Sequence, residues 1–298
     1  MVYNWLSVDF IPPIIAYVLS FIALLIGSIT DLKTREVPDW LNYGLVFSGL
    51  GLNFLFSIIY SNSSFIINSL IGLAIFFGIA YIMFYAGQWG GGDSKMLMGI
   101  GAMIGIDVGA SSSQFLFGFF INALFVGAIY GLLWSLYLVF KNKNKFWKEF
   151  SKILAEKKFV RWKQTILVSL VLLLILFFVI NLYEIKILIL SIAFLMIATF
   201  YLWIFVKTVE KTCMCKLVEP FKLTEGDWIV KNIYVGGKYI TGPKDLGISK
   251  SQIRKLVEFY KKRKVKKILI KEGIPFVPSF LVAFVITWIF GNFLVLLI

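Results

Sequence analysis

The sequence predicts an all-α polytopic membrane protein of about eight transmembrane helices, with a small cytoplasmic α+β module late in the chain. Three observations carry that prediction. Of the 298 residues, 59% are hydrophobic and only 15% are charged, and the mean hydropathy is +0.87; soluble domains carry roughly 25% charged residues. The apolar residues fall in runs of about twenty, the length that crosses a ~30 Å hydrocarbon core. The net charge of +14 is gathered in a few loops rather than spread along the chain.

The spans read as roughly 11–30, 40–60, 65–87, 94–107, 115–140, 164–183, 185–206 and 275–298. Met1 to Phe10 holds no Lys or Arg, so the first run reads as a retained span and not as a cleaved secretory signal. The fourth run is short and rich in glycine (Gly99, Gly101, Gly105), a composition suited to close helix packing. Alternating the spans puts 31–39, 88–93, 141–163 and 207–274 on one side. With Lys95 at its rim, that side holds 29 of the 30 Lys and Arg residues, and only Lys186 falls opposite. The positive-inside rule makes the basic side cytoplasmic and places the N-terminus outside the cell membrane. Removing any single span would scatter the basic loops over both faces. Removing 164–206 as a pair would keep the parity, which marks that hairpin as an accessory.

The chain divides accordingly into a membrane core at 1–140, a basic interfacial segment at 141–163, the accessory hairpin at 164–206, a soluble cytoplasmic module at 207–274 and a last transmembrane helix at 275–298. Segment 141–163 carries nine basic residues with Trp147 and Trp162, the composition of a helix lying on anionic lipid heads. In the module, Trp228 to Val235 alternates partly as a strand, and Gly236-Gly237 turns the chain into Lys238 to Thr241. Ser249 is placed to N-cap a helix from Ser251 to about Arg263, and Lys266 to Lys271 alternates like a short strand.

The chain has no histidine, which excludes His-based catalysis and any His-containing zinc site. Its two cysteines, Cys213 and Cys215, are too close for an easy disulfide and offer two metal ligands at most. No metal or organic cofactor is expected. The positive charge is accounted for by topology, so the lipid bilayer is an expected partner and nucleic acid is not.

Against this background two acids stand out. Asp93 ends Gly90-Gly91-Gly92-Asp93, a glycine-rich turn between two apolar runs, and Asp31 ends the first apolar run. A carboxylate beside hydrocarbon is costly and marks a functional site by default. The glycines allow close approach of backbone or of an extended substrate strand. Lys and Arg counting delivers both acids to the cytoplasmic rim. Two carboxylates that share a site do not both ionise cheaply, so one acts as acid and the other as base. Such a pair can deprotonate a water while protonating a peptide carbonyl oxygen, with no covalent intermediate. The rival reading is an ion- or proton-coupled membrane transporter using the paired acids. Transporter acids, however, sit near mid-membrane at broken helices.

Asp31 with Pro38-Asp39 downstream, and Gly-x-Gly-Asp-x-Lys at 90–95, resemble the type IV prepilin peptidase family, including its archaeal preflagellin peptidase branch. Gly242-Pro243-Lys244-Asp245-Leu246-Gly247-Ile248 and Lys271-Glu272-Gly273-Ile274-Pro275-Phe276-Val277-Pro278-Ser279-Phe280 resemble the archaeal C-terminal extension. The resemblance covers about 11–140 and 207–298; the hairpin 164–206 departs from a six-span plan. It implies an aspartic-type membrane endopeptidase that removes the short basic class III signal peptide from prepilin- or preflagellin-like precursors at the cytoplasmic membrane face. The implied catalytic acids are Asp31 and Asp93, with Gly90, Gly92 and Lys95 as supporting motif positions. Lys95 is placed to balance charge near the acids, and Glu36 and Asp39 to receive the basic residues of a leader. The bacterial members carry a zinc-binding, N-methylating region with paired Cys-x-x-Cys motifs. This sequence holds no such motif, and cleavage without N-methylation is expected.

Overall fold

The computed structural model describes residues 11–107, 113–245 and 247–292; expectations for Met1–Phe10, for 108–112, for Leu246 and for 293–298 lie outside them. Within these residues the chain forms α1 (Ile11–Thr34), α2 (Asp39–Ile59), α3 (Ser64–Tyr85), α4 (Gly91–Ile104), α5 (Ser113–Lys141), α6 (Lys143–Leu154), α7 (Lys157–Val179) and α8 (Tyr183–Thr212). The module follows with β1 (Cys215–Val218), β2 (Trp228–Ile229), β3 (Ile233–Val235), β4 (Lys238–Thr241), α9 (Lys250–Lys261) and β5 (Ile268–Lys271), before α10 (Val277–Phe290). Helices α1, α2, α3, α5, α7 and α8 are long and apolar enough to cross a bilayer. The protein is therefore a multi-pass helical membrane protein. Two of the eight expected spans are shorter, since α4 and α10 have 14 residues each.

Helix α4 is the centre of the membrane core. At 1.5 Å per residue it is about 21 Å long, too short for a ~30 Å hydrocarbon layer. Its C-terminal carbonyls are therefore left inside, where each unsatisfied one is costly. Neighbouring polar side chains meet them: Ser69 Oγ donates to the Ala102 carbonyl at 2.5 Å and Asn53 Nδ2 to the Met103 carbonyl at 3.1 Å. Close approach is built from glycine. A Cβ on Gly101 would stand 2.6 Å from the Gly72 carbonyl oxygen of α3, and one on Gly49 of α2 would stand 2.7 Å from the Met103 backbone. Met96, Leu97, Ile100 and Met103 of α4 join Leu24, Phe76, Phe119, Phe280 and Phe284 in one apolar core.

Helix α10 packs between α1 and α5 through aromatic edges, with Phe119 against both Phe280 and Phe284. It ends at Gly291, whose φ of 72° is the left-handed value that stops a helix without a Cβ penalty. The run read as 275–298 thus has its helix start at Val277 and stop at Phe290.

Other boundaries also differ from the sequence reading. The basic segment 141–163 is not one interfacial helix. Its first half is α6, amphipathic with Phe146 and Ile153 buried, and its second half forms the opening turns of α7. Hydropathy marks where lipid begins and not where a helix begins, so the charged turns of α7 escaped it. Similarly α4 begins at Gly91, three residues before the expected span, because Asp93 caps it from its own first turn.

In the module β5 is central to a three-stranded antiparallel sheet ordered β1-β5-β2, and β3 pairs with β4 as a hairpin. Trp228 to Val235 thus contains two short strands, and β1 was not foreseen because Cys215-Lys216-Leu217-Val218 follows α8 after a two-residue break. Ser249 caps α9 as expected, accepting the Gln252 N–H at 3.4 Å while Gln252 Oε1 accepts the Ser249 N–H at 2.8 Å. Ser249→Ala should cost about 1 kcal/mol of local stability. Faster amide hydrogen exchange across α9, with α1–α5 unchanged, is the expected readout.

Candidate active site

Asp31 lies one turn before the end of α1 and is 5% exposed. Its Oδ2 accepts the Val277 N–H at 3.1 Å, the first N–H of α10, with the Phe276 N–H close by. A helix N-terminus presents unpaired donors and positive dipole, so the carboxylate is held where an anion is welcome. The chain then reverses at Arg35, whose φ of 63° is unusual for a side-chain-bearing residue, and its N–H donates to the Asp31 carbonyl at 3.0 Å. The turn aims the Arg35 guanidinium at α5, where it lies 4.9 Å over the Trp134 ring. One turn earlier on α5 is Tyr130, within electrostatic reach of both Asp31 and Arg35. Arg35 Nη1 and the Tyr130 hydroxyl are buried with no hydrogen-bond partner among the described residues.

Asp93 is the third residue of α4 and is 9% exposed. Its Oδ2 accepts the Gly90 N–H at 2.9 Å, which caps the helix and fixes the carboxyl at its mouth. Gly92 lets the loop after Asp31 close over this turn: a Cβ there would stand 3.1 Å from Val37 Cβ, and Asn42 Nδ2 donates to the Gly92 carbonyl at 3.4 Å. Trp89, just before the turn, packs on Phe276 and Phe280 with ring centroids 6.0 and 5.2 Å apart. The N-terminus of α10 therefore touches both halves, holding Asp31 by a backbone bond and the Asp93 turn by aromatic packing. The two carboxyls are within electrostatic reach of each other.

The remaining motif residues fall differently. Lys95 is paired with Asp39: its Nζ is 2.5 Å from Asp39 Oδ1 and 5.1 Å from the Tyr43 ring centroid. Two residues past Asp93 on a helix, it points to another side of α4. Asp39 thus has a cationic partner within the chain, although its side chain is 64% exposed. Because the pair is partly exposed, it is worth at most about 1 kcal/mol. Lys95→Ala should leave turnover within about threefold of wild type, and Lys95→Asp combined with Asp39→Lys should restore it. A loss comparable to that of an Asp93 variant would contradict this assignment.

Glu36 is exposed on the same loop and has unforeseen company. Asp227 of the module is within electrostatic reach of Glu36 and of Glu272. The sheet explains the meeting: Trp228 of β2 pairs with Lys271 of β5, which sets Asp227 and Glu272 side by side just beyond the paired residues. Partial burial, then the two neighbouring carboxylates, push the Asp227 carboxyl above its usual range. Trp228 in turn rests against Gly87 before α4, where an added Cβ would stand 3.3 Å from the indole. No sequence spacing announces this cluster, because it depends on sheet register. The Val277 donor and the Arg35–Trp134 stack were equally invisible, each bridging distant segments.

A multi-pass membrane protein with two buried aspartates within electrostatic reach of each other is the class that fold and site define. Residues 18–132, which include both aspartates, match the type IV leader peptidase family. The preflagellin peptidase of Methanococcus voltae is 37% identical over 136 residues, 43% of this chain and 58% of that protein. The preflagellin peptidase of Methanocaldococcus jannaschii is 40% identical over 90 residues, 30% of this chain and 38% of its own length. That of Methanococcus maripaludis is 38% identical over 90 residues, 30% of this chain and 39% of its own length. The chain thus spans between about two fifths and three fifths of the curated relatives it matches. No solved structure matches it.

Proposed function

We propose that this protein is an aspartic-type membrane endopeptidase that removes the short basic leader from prepilin- or preflagellin-like precursors at the cytoplasmic face. The observation that carries the reading is that Asp31 and Asp93, both buried, stand within electrostatic reach of each other, with the N-terminus of α10 bonded to Asp31. The matching relatives are preflagellin peptidases, which supports the substrate class.

The pair shares one proton. Asp31 has the α10 N-terminus and Arg35 beside it, so it carries the negative charge, and Asp93 carries the proton. A water between them gives a proton to Asp31 as its oxygen attacks the scissile carbonyl carbon. Asp93 gives its proton to the carbonyl oxygen. Collapse of the gem-diol returns a proton to Asp93, breaks the C–N bond and passes the proton on Asp31 to the departing amine. The substrate's apolar helix stays in the bilayer while its leader lies along the loop at Glu36, where Asp227 and Glu272 receive basic side chains.

The test is cleavage of a precursor with a Lys/Arg leader by the full chain in lipid nanodiscs. Replacing Asp227 and Glu272 together with Asn and Gln should raise KM by about fivefold or more and leave kcat unchanged, since each partly exposed pair contributes about 1 kcal/mol. The same change in KM should follow from neutralising the leader in wild type. An unchanged KM would remove the acidic cluster from the binding site.

A further inference from the structure

The hairpin α7–α8 lies outside residues 18–132 and takes no part in the chemistry above. We propose that it carries a binding site for an anionic membrane lipid, with the lipid chain in a groove between α7 and α8 and the headgroup on Lys158 and Lys207. The groove has a volume of about 620 Å³, within the range of ligand sites, and is lined by Trp162, Ile166, Leu195, Met196, Phe200 and Trp203. Its lining is almost wholly apolar, which suits hydrocarbon.

The groove's aromatic end carries the sign of the ligand. Trp162 and Trp203 stack with centroids 5.1 Å apart and planes 25° apart. Two ammonium groups converge on this stack: Lys158 lies 5.2 Å from the Trp162 centroid and 5.9 Å from that of Trp203, and Lys207 lies 5.4 Å from Trp203 and 4.7 Å from Phe159. Two like charges over one indole repel each other, and among the described residues neither has a carboxylate partner. Lys211, one turn further on α8, does have one in Glu149. The unneutralised pair sits where the charged turns of α7 enter its apolar stretch, the level of lipid phosphates. A phosphate there neutralises both lysines, and its attached chain follows the groove into the bilayer.

The experiment uses the full chain in phosphatidylcholine vesicles doped with phosphatidylglycerol or phosphatidylcholine brominated on the acyl chain, which quenches nearby tryptophan fluorescence. The share from Trp162 and Trp203 is isolated by comparison with the Trp162→Phe, Trp203→Phe variant. Brominated phosphatidylglycerol is expected to quench that share at about tenfold lower mole fraction than brominated phosphatidylcholine, the order set by two lysines at an anionic headgroup. Lys158→Gln with Lys207→Gln should erase the preference, and the double Arg variant should keep it. Equal quenching by the two lipids would overturn the site, leaving an unselective apolar face. No quenching of this share by either would also overturn it, pointing to a protein cover such as a second copy. A preference that survives the double Gln variant would refute the role of the lysines. Native mass spectrometry of protein extracted from mixed lipid provides an independent readout: retained phosphatidylglycerol in wild type and its loss in the double Gln variant, or the proposal fails.

Discussion

Asp93→Asn is expected to lower precursor cleavage by about 10³-fold or more, and Asp31→Asn to do the same, because in the proposed mechanism each removes one partner of the proton transfer. The two losses should not add. A pair that acts as a unit is disabled by either change, so the double variant should be no slower than the singles. Both variants should remain folded. Asn keeps a side-chain oxygen to accept the Gly90 N–H in place of Asp93, or the Val277 N–H in place of Asp31. Circular dichroism and thermal unfolding in detergent separate loss of chemistry from loss of structure. A single variant that cuts at the wild-type rate would remove that residue from the mechanism.

The second large effect is structural. Gly72→Val should destabilise the membrane core by about 3 kcal/mol, the upper end for overpacking, because the new side chain meets the Gly101 backbone of α4, which has no rotamer with which to yield. Gly78→Val, on the same helix with nothing within 4 Å of an added Cβ, is the control and should be close to neutral. The expected readout is a Tm lowered by several degrees for Gly72→Val alone, together with reduced cleavage, since α4 carries Asp93. Equal Tm values for the two variants would mean that α3 and α4 do not meet at this point.

Much of this arrangement was legible in the sequence, and the illegible part has a common cause. Asp31 and Asp93 stood out because an acid beside hydrocarbon is expensive, and the charge count brought them to one rim without any contact information. Ser249 was legible as a cap because its chemistry is local. What surrounds the acids was not. The donor to Asp31 comes from Val277, 246 residues away, and the stacking partner of Arg35 comes from α5. Lys95 shows the reverse case: proximity along the chain suggested a role beside Asp93, whereas in the structure it pairs with Asp39. Likewise, the pairing of Trp228 with Lys271 created an acidic neighbourhood for Glu36 that neither segment implies alone.

Whether the two aspartates cut a leader peptide is tested most directly by mass spectrometry of a basic-leader precursor incubated with the purified full chain in nanodiscs. Wild type should give two fragments from a single cut at the end of the leader, and the Asp31→Asn, Asp93→Asn double variant should leave the precursor intact. Intact precursor with wild type, or the same two fragments from the double variant, would contradict the assignment of cleavage to Asp31 and Asp93.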